Sequence, residues 1–162
     1  MKAITLWQPW ASLMACGAKK YETRSWSTSY RGPIAIHVAK KDIYRMMNTL
    51  PPEVVISVFN TFRRAYEADG GIQKRLASVQ GCIIATAELV SCMHISHHSD
   101  FGICASAESQ HSNGLRYILP SKQEMLFGDW TPGRYAWELA NVQMLPEPVP
   151  AKGKQRLWEV EI

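Results

Sequence analysis

Short strand-length runs, spaced by turn signals and interrupted by few helical segments, constrain this chain more than any other feature. Residues 2–6 (K-A-I-T-L), 21–26, 34–38 (I-A-I-H-V), 81–90 (G-C-I-I-A-T-A-E-L-V), 134–142 and 156–162 (R-L-W-E-V-E-I) each read as a strand, the last by clean alternation. Such a set argues for an α+β, mainly β fold: a small mixed β-barrel with flanking helices. The opening and closing strands are expected to pair, because a barrel must seal its edges. At 162 residues, the chain is expected to be a single domain over 1–162, large enough to bury a core without disulfides or metals.

Between the strands, Pro9 suits a first helical turn, and Trp10, Leu13 and Met14 follow at i, i+3, i+4 spacing, with Trp10 expected in the core. Gly17 is a natural stop for that helix. Residues 40–50 suit a short helix broken at Pro51-Pro52. Residues 53–68 suit a longer one, with Val54, Val55, Val58, Phe59 and Phe62 on one side, Arg63, Arg64 and Glu67 exposed, and Asp69-Gly70-Gly71 as its end. Residues 31–33, 128–129 and 131–133 are turn signals. Residues 91–114, rich in Ser, His, Asn and Gly, read as a long surface connection. Pro146, Pro148 and Pro150 exclude regular structure and favour a stiff, extended crossing.

The charge is uneven: residues 1–81 hold twelve Lys and Arg against five Asp and Glu, and residues 82–162 hold six against nine. A basic first half favours a phosphate-bearing partner. Cys16, Cys82, Cys92 and Cys104 form no C-x-x-C pair, which disfavours a zinc ribbon or a thioredoxin-like site. His94, His97 and His98 complete no known ligand spacing, so no metal and no cofactor is expected. With no signal-peptide pattern and no membrane-length apolar run, the expected address is the cytoplasm, with the thiols reduced.

The chemistry concentrates in residues 17–24, G-A-K-K-Y-E-T-R, flanked by Trp7, Trp10 and Trp26. Glu22 and Arg24, two apart on a strand, point to one side. Lys19 falls at the helix-to-strand junction. An ammonium, a carboxylate and a guanidinium within six residues form a cluster that no core tolerates unpaired. Nearby indoles suit a nucleobase, which stacks while its polar edge is hydrogen-bonded. Either the Glu22–Arg24 pair merely fixes a barrel mouth, or Lys19, Glu22 and Arg24 are candidate catalytic residues, with a desolvated Lys19 as proton acceptor. Trp7, Gln8, Ser12 and Trp26 are candidate base-binding residues, and His37 and Lys40 a candidate rim, with Lys40 on phosphate.

The run I-T-L-W-Q-P-W-A-S-L-M-A-C-G-A-K-K-Y-E-T-R-S-W with Y-R-G-P-I-A-I-H-V-A-K resembles the ASCH domain family of the PUA-like superfamily, its G-x-K-x-x-E-x-R motif falling on Gly17, Lys19, Glu22 and Arg24. Weaker similarity continues through 81–90, through F-G-D-W-T-P-G-R-Y-A-W-E-L and into the closing run. The resemblance implies a PUA-like β-barrel with a cleft beside the first helix, and RNA or a modified nucleoside or nucleotide as partner. Certain small members are metal-free amidohydrolases acting on N4-acetylcytidine. These look like G-x-K-x-x-T-x-R, so Glu22 stands where they carry threonine. For their further downstream glutamate, Glu108 and Glu124 are both candidates. Ribonuclease activity and protein-interaction adaptor function are the other readings. The sequence leaves the oligomeric state open.

Overall fold

The computed structural model describes residues 1–69, 79–108 and 114–162. The chain is mainly β, in the order β1 (Lys2–Leu6), α1 (Trp10–Ala15), β2 (Tyr21–Arg24), β3 (Gly32–Val38), α2 (Ile43–Met47), α3 (Pro52–Asp69), β4 (Cys82–His98), β5 (Gly102–Glu108), β6 (Leu115–Ile118), α4 (Lys122–Phe127), β7 (Tyr135–Pro150) and β8 (Leu157–Glu159). It forms two compact units, one of Met1–Lys19, Pro33–Glu88 and Asn141–Ile162, the other of Lys20–Gly32 and Leu89–Ala140.

In the first unit, β1 runs parallel to β3 and antiparallel to β8, with Ala3 opposite both Ala35 and Trp158. The opening and closing strands therefore pair, as expected. All of Ile34, Ala35, Ile36, His37 and Val38 are buried, so β3 does not alternate; it is covered on both faces. Ala3, Ala35, Ile83 and Trp158 form one core cluster. Leu13 and Met14 of α1 are fully buried, each worth about 1.5–3 kcal/mol, and α1 packs on α3. Trp10 is only half-buried, contrary to expectation: it opens the helix, and burial sets in from Ala11 to Ala15. On α3 the inward stripe is Val54 and Val58, one helical turn apart; Phe59 is 63% exposed and Val55 and Phe62 half-buried, so the apolar face is narrower than the sequence implies.

In the second unit, β2 lies antiparallel to β7, β7 neighbours β4, and β4, β5 and β6 continue as antiparallel hairpin strands. Met93, Ile95, Ala105, Trp130 and Ala136 form its core. Here the structure departs from the expected surface connection: β4 continues to His98, with Met93 and Ile95 inward and His94 and His97 exposed. β5, β6 and α4 are also unanticipated. The side chain of Ser121 caps α4 by accepting from the Glu124 N–H. β7 likewise runs on through all three prolines. Successive strand amides point to opposite neighbours, so prolines at 146, 148 and 150 delete donors on one side only and leave the other ladder intact. The expected helix stop at Gly70-Gly71 and the basic residues Lys74 and Arg75 lie outside the described residues. No helix among those described is long and apolar enough to cross a membrane.

Candidate functional site

The motif begins where α1 ends. Gly17 adopts φ +75°, a conformation that L side chains resist. Its N–H donates to the Met14 carbonyl, and the Lys19 N–H turns back to the Leu13 carbonyl at 3.0 Å. Lys19 is thereby fixed at the helix exit and is only 1% exposed. Within the same unit Gln8 and Ser12 are also buried, and the Gln8 Oε1 accepts the Ser12 N–H at 3.2 Å, using the amide oxygen to close the first turn of α1. Trp7, by contrast, is 47% exposed, and the Lys41 Nζ lies 3.3 Å from the centre of its ring. The sequence gives no separate sign of that contact beyond the adjacency of Lys40 and Lys41.

His37 is buried on β3. Its Nε2–H donates to the Ala151 carbonyl at 3.1 Å, while its Nδ1 has no partner among the described residues. Burial holds its pKa below the ordinary histidine value of 6.5, against a smaller opposing effect of the Ala151 bond. Lys40 lies two residues beyond the end of that strand and is exposed.

In the second unit, β2 presents Glu22 and Arg24 to one side, as their spacing requires, and the Glu22 Oε1 lies 3.1 Å from the Arg24 Nε. Both side chains are sheltered, at 13% and 27% exposure. Thr23 points the other way, is buried, and accepts the Asp129 N–H at 2.9 Å. Trp26 is half-buried edge-on against Trp137, with ring centres 4.5 Å apart. At the start of β2, Tyr21 faces Glu138, which also receives two Arg116 hydrogen bonds at 2.7 and 2.8 Å. Desolvation first, and then Glu138, push the Tyr21 pKa up, while Arg116 opposes them.

Of the two downstream glutamates, Glu124 is buried and accepts the Lys20 N–H at 2.6 Å; its backbone carbonyl accepts the Trp130 Nε1–H at 2.8 Å. Glu108 is exposed and borders a cavity of about 870 Å³ with Arg31, Cys92, His94 and Tyr135. Burial pushes the Cys92 thiol up, against smaller effects of the Thr28 backbone and Arg31. The signal for Glu124 was available: Ser121-x-x-Glu124 is a capping-box spacing, which places that glutamate in the first turn of a helix. His94 packs edge-on against Tyr135 and His98 stacks on Phe101 at 3.8 Å.

A motif with a helix-terminating glycine, a buried lysine and a sheltered carboxylate–guanidinium pair, carried on a mainly β chain, matches a known family. The family model of the ASCH domain covers residues 4–149, and the chain belongs to that family. Among curated proteins, activating signal cointegrator 1 of Mus musculus is 25% identical over 158 residues and that of Homo sapiens 24% identical over 158 residues. These alignments cover 98% of this chain and 22% of each relative, so the chain spans about a fifth of the length of the proteins it matches.

Proposed function

We propose that this chain is an RNA- or nucleotide-binding ASCH domain that recognises its ligand through Lys19, Glu22 and Arg24. The observation that carries this reading is that all three ionic groups of the motif are withdrawn from water, Lys19 almost entirely. Ionic groups sheltered together in one short motif mark a candidate recognition site, and a base edge offers donors and acceptors to match. The reading takes the fold to be a PUA-like barrel forming a single domain, with Trp7, Gln8, Ser12, Trp26, His37 and Lys40 as supporting binding residues. The family match across residues 4–149 favours it. The cysteines are free, which suits a reducing cytoplasm.

A screen of short RNAs and modified nucleosides against the wild type and Lys19→Ala tests the reading. Saturable binding lost in Lys19→Ala is expected. Binding indifferent to Lys19→Ala, or none at all, refutes it.

Glu124 favours a second reading, hydrolysis of N4-acetylcytidine. It is a buried carboxylate bonded to the amide of the residue after Lys19. In this scheme Lys19 takes a proton from water as the oxygen attacks the acetyl carbonyl, and Arg24 or a backbone N–H holds the oxyanion. Glu22 or Glu124 relays that proton from the Lys19 ammonium to the departing amine as the C–N bond breaks, giving cytidine and acetic acid, which loses its own proton to leave as acetate. Incubation with N4-acetylcytidine should release cytidine; unchanged substrate on chromatography removes this reading and leaves the first intact.

A further inference from the structure

The first unit contains a cavity of about 800 Å³ that none of Lys19, Glu22 and Arg24 lines. Its walls come from Thr5 of β1, His37 at the end of β3, Lys40, Gly81 before β4, and residues 150–155, which carry the chain from β7 to β8. Lys40, Lys152 and Lys154 line it, and no carboxylate does among the described residues.

The backbone bearing these lysines is anchored at several points. The Ala151 N–H donates to the Gly81 carbonyl at 3.0 Å, and the Ala151 carbonyl accepts from His37. The Thr5 hydroxyl donates to the Lys154 carbonyl at 2.9 Å and itself accepts the Trp158 Nε1–H at 3.1 Å. Between these anchors Gly153 lies flat on the buried imidazole; a Cβ there would overlap His37 Cε1 and sit 2.7 Å from its Nδ1. The stem of Lys40 crosses Gly81 so closely that a Cβ would lie 2.5 Å from its Cε. Three lysines held on a fixed frame thus line one hollow with no carboxylate among its described lining residues; Glu159, outside that lining, feels Lys154. Like charges gathered in this way repel, and an anion relieves them. The volume falls within the range of about 300–1,000 Å³ typical of small-ligand sites, well beyond the needs of a lone ion.

We propose that this cavity binds a phosphate group of a nucleotide, free or within an RNA strand, with Lys40, Lys152 and Lys154 on its oxygens. His37 is a positioning residue: it holds Ala151 and backs Gly153, and so sets where Lys152 and Lys154 emerge. None of residues 17–24 lines the cavity, although His37 and Lys40, proposed above in support of the motif, do; the proposal stands without the function proposed for that motif.

Calorimetric titration of the full chain with a nucleoside, the same nucleoside 5′-monophosphate and a short single-stranded RNA tests it. Wild type should bind the monophosphate or the RNA, which identifies the source of the phosphate, and should bind the nucleoside far more weakly. The double variant Lys152→Ala/Lys154→Ala, altering only exposed side chains, should weaken binding about tenfold or more; where RNA is the ligand, its salt slope should fall by about 0.7 per lysine lost. Lys122→Ala, an exposed lysine of the other unit, controls for net charge and should bind as wild type. Equal binding of nucleoside and monophosphate, no binding of either phosphate-bearing ligand, an unchanged double variant, or equal losses in the double variant and Lys122→Ala would each overturn the proposal. Loss in Lys19→Ala with the double variant unaffected would place the phosphate at the motif and overturn it equally.

Discussion

Replacing Gly17 by alanine isolates the backbone geometry that sets Lys19. The residue has φ +75°, and an added Cβ would meet nothing within 4 Å, so no clash enters the sum. What remains is the cost of a left-handed L residue, about 1–2 kcal/mol. Alanine also restricts the unfolded chain, which returns about 0.4–1 kcal/mol. The net loss should be about 1 kcal/mol, or about 2–4 °C in Tm for a chain of this size. Urea denaturation followed by tryptophan fluorescence should show a lower midpoint at unchanged slope. Gly17→Asn should lose less, since asparagine tolerates this conformation. A neutral or stabilised Gly17→Ala would refute the reasoning, as would a loss above about 3 kcal/mol, which would mean that packing rather than φ governs the position.

Other expectations follow from the ionisable groups. His37 has its pKa lowered in the fold, so below pH 6.5 the unfolded chain takes up the proton first. Its contribution is complete above that value and declines as pH falls through the folded-state pKa; His37→Gln should flatten this part of a stability–pH curve, and an unaltered slope would count against it. Spectroscopic titration of Tyr21 should shift down in Glu138→Gln and further up in Arg116→Ala, because these two groups act on it with opposite sign; shifts in the same direction would contradict the arrangement. Glu124→Ala should cost about 1–3 kcal/mol by stranding the Lys20 N–H. Glu124→Gln keeps an acceptor oxygen and should be nearly neutral by thermal melt, and a large loss there would show that the negative charge itself is required.

The parts of the fold legible in the sequence are those where residue type and periodicity agree. Ile34, Ala35 and Ile36 read as a buried strand, Gly17 ends α1, and the alternation of residues 156–162 marked a closing strand, which is realised over Leu157–Glu159. Where type and period conflict, type misleads. Met93 and Ile95 mark an alternating strand, but the intervening His94, Ser96 and His97 resemble a loop by composition. His94 and Ser96 are polar because they lie on the outer face, whereas His97 has the parity of Met93 and Ile95 but is exposed near the end of the strand. The prolines of β7 misled in the same way, because their spacing matters more than their number. At the candidate site, the parity of Glu22 and Arg24 was readable, since strand geometry is local. The sheltering of Lys19 was not, since it depends on packing between segments remote in sequence, as does the anchoring of residues 151–154 by Thr5 and His37.

The spacing of Pro146, Pro148 and Pro150 also bears on how this protein behaves when crowded. Along that stretch one side of β7 carries carbonyl oxygens without the alternating amide hydrogens that a pairing strand would need. A stray chain arriving there finds half a zipper. Pyrrolidine rings at every second place therefore act as a guard against runaway strand-to-strand stacking, leaving the opposite flank free to serve the native sheet.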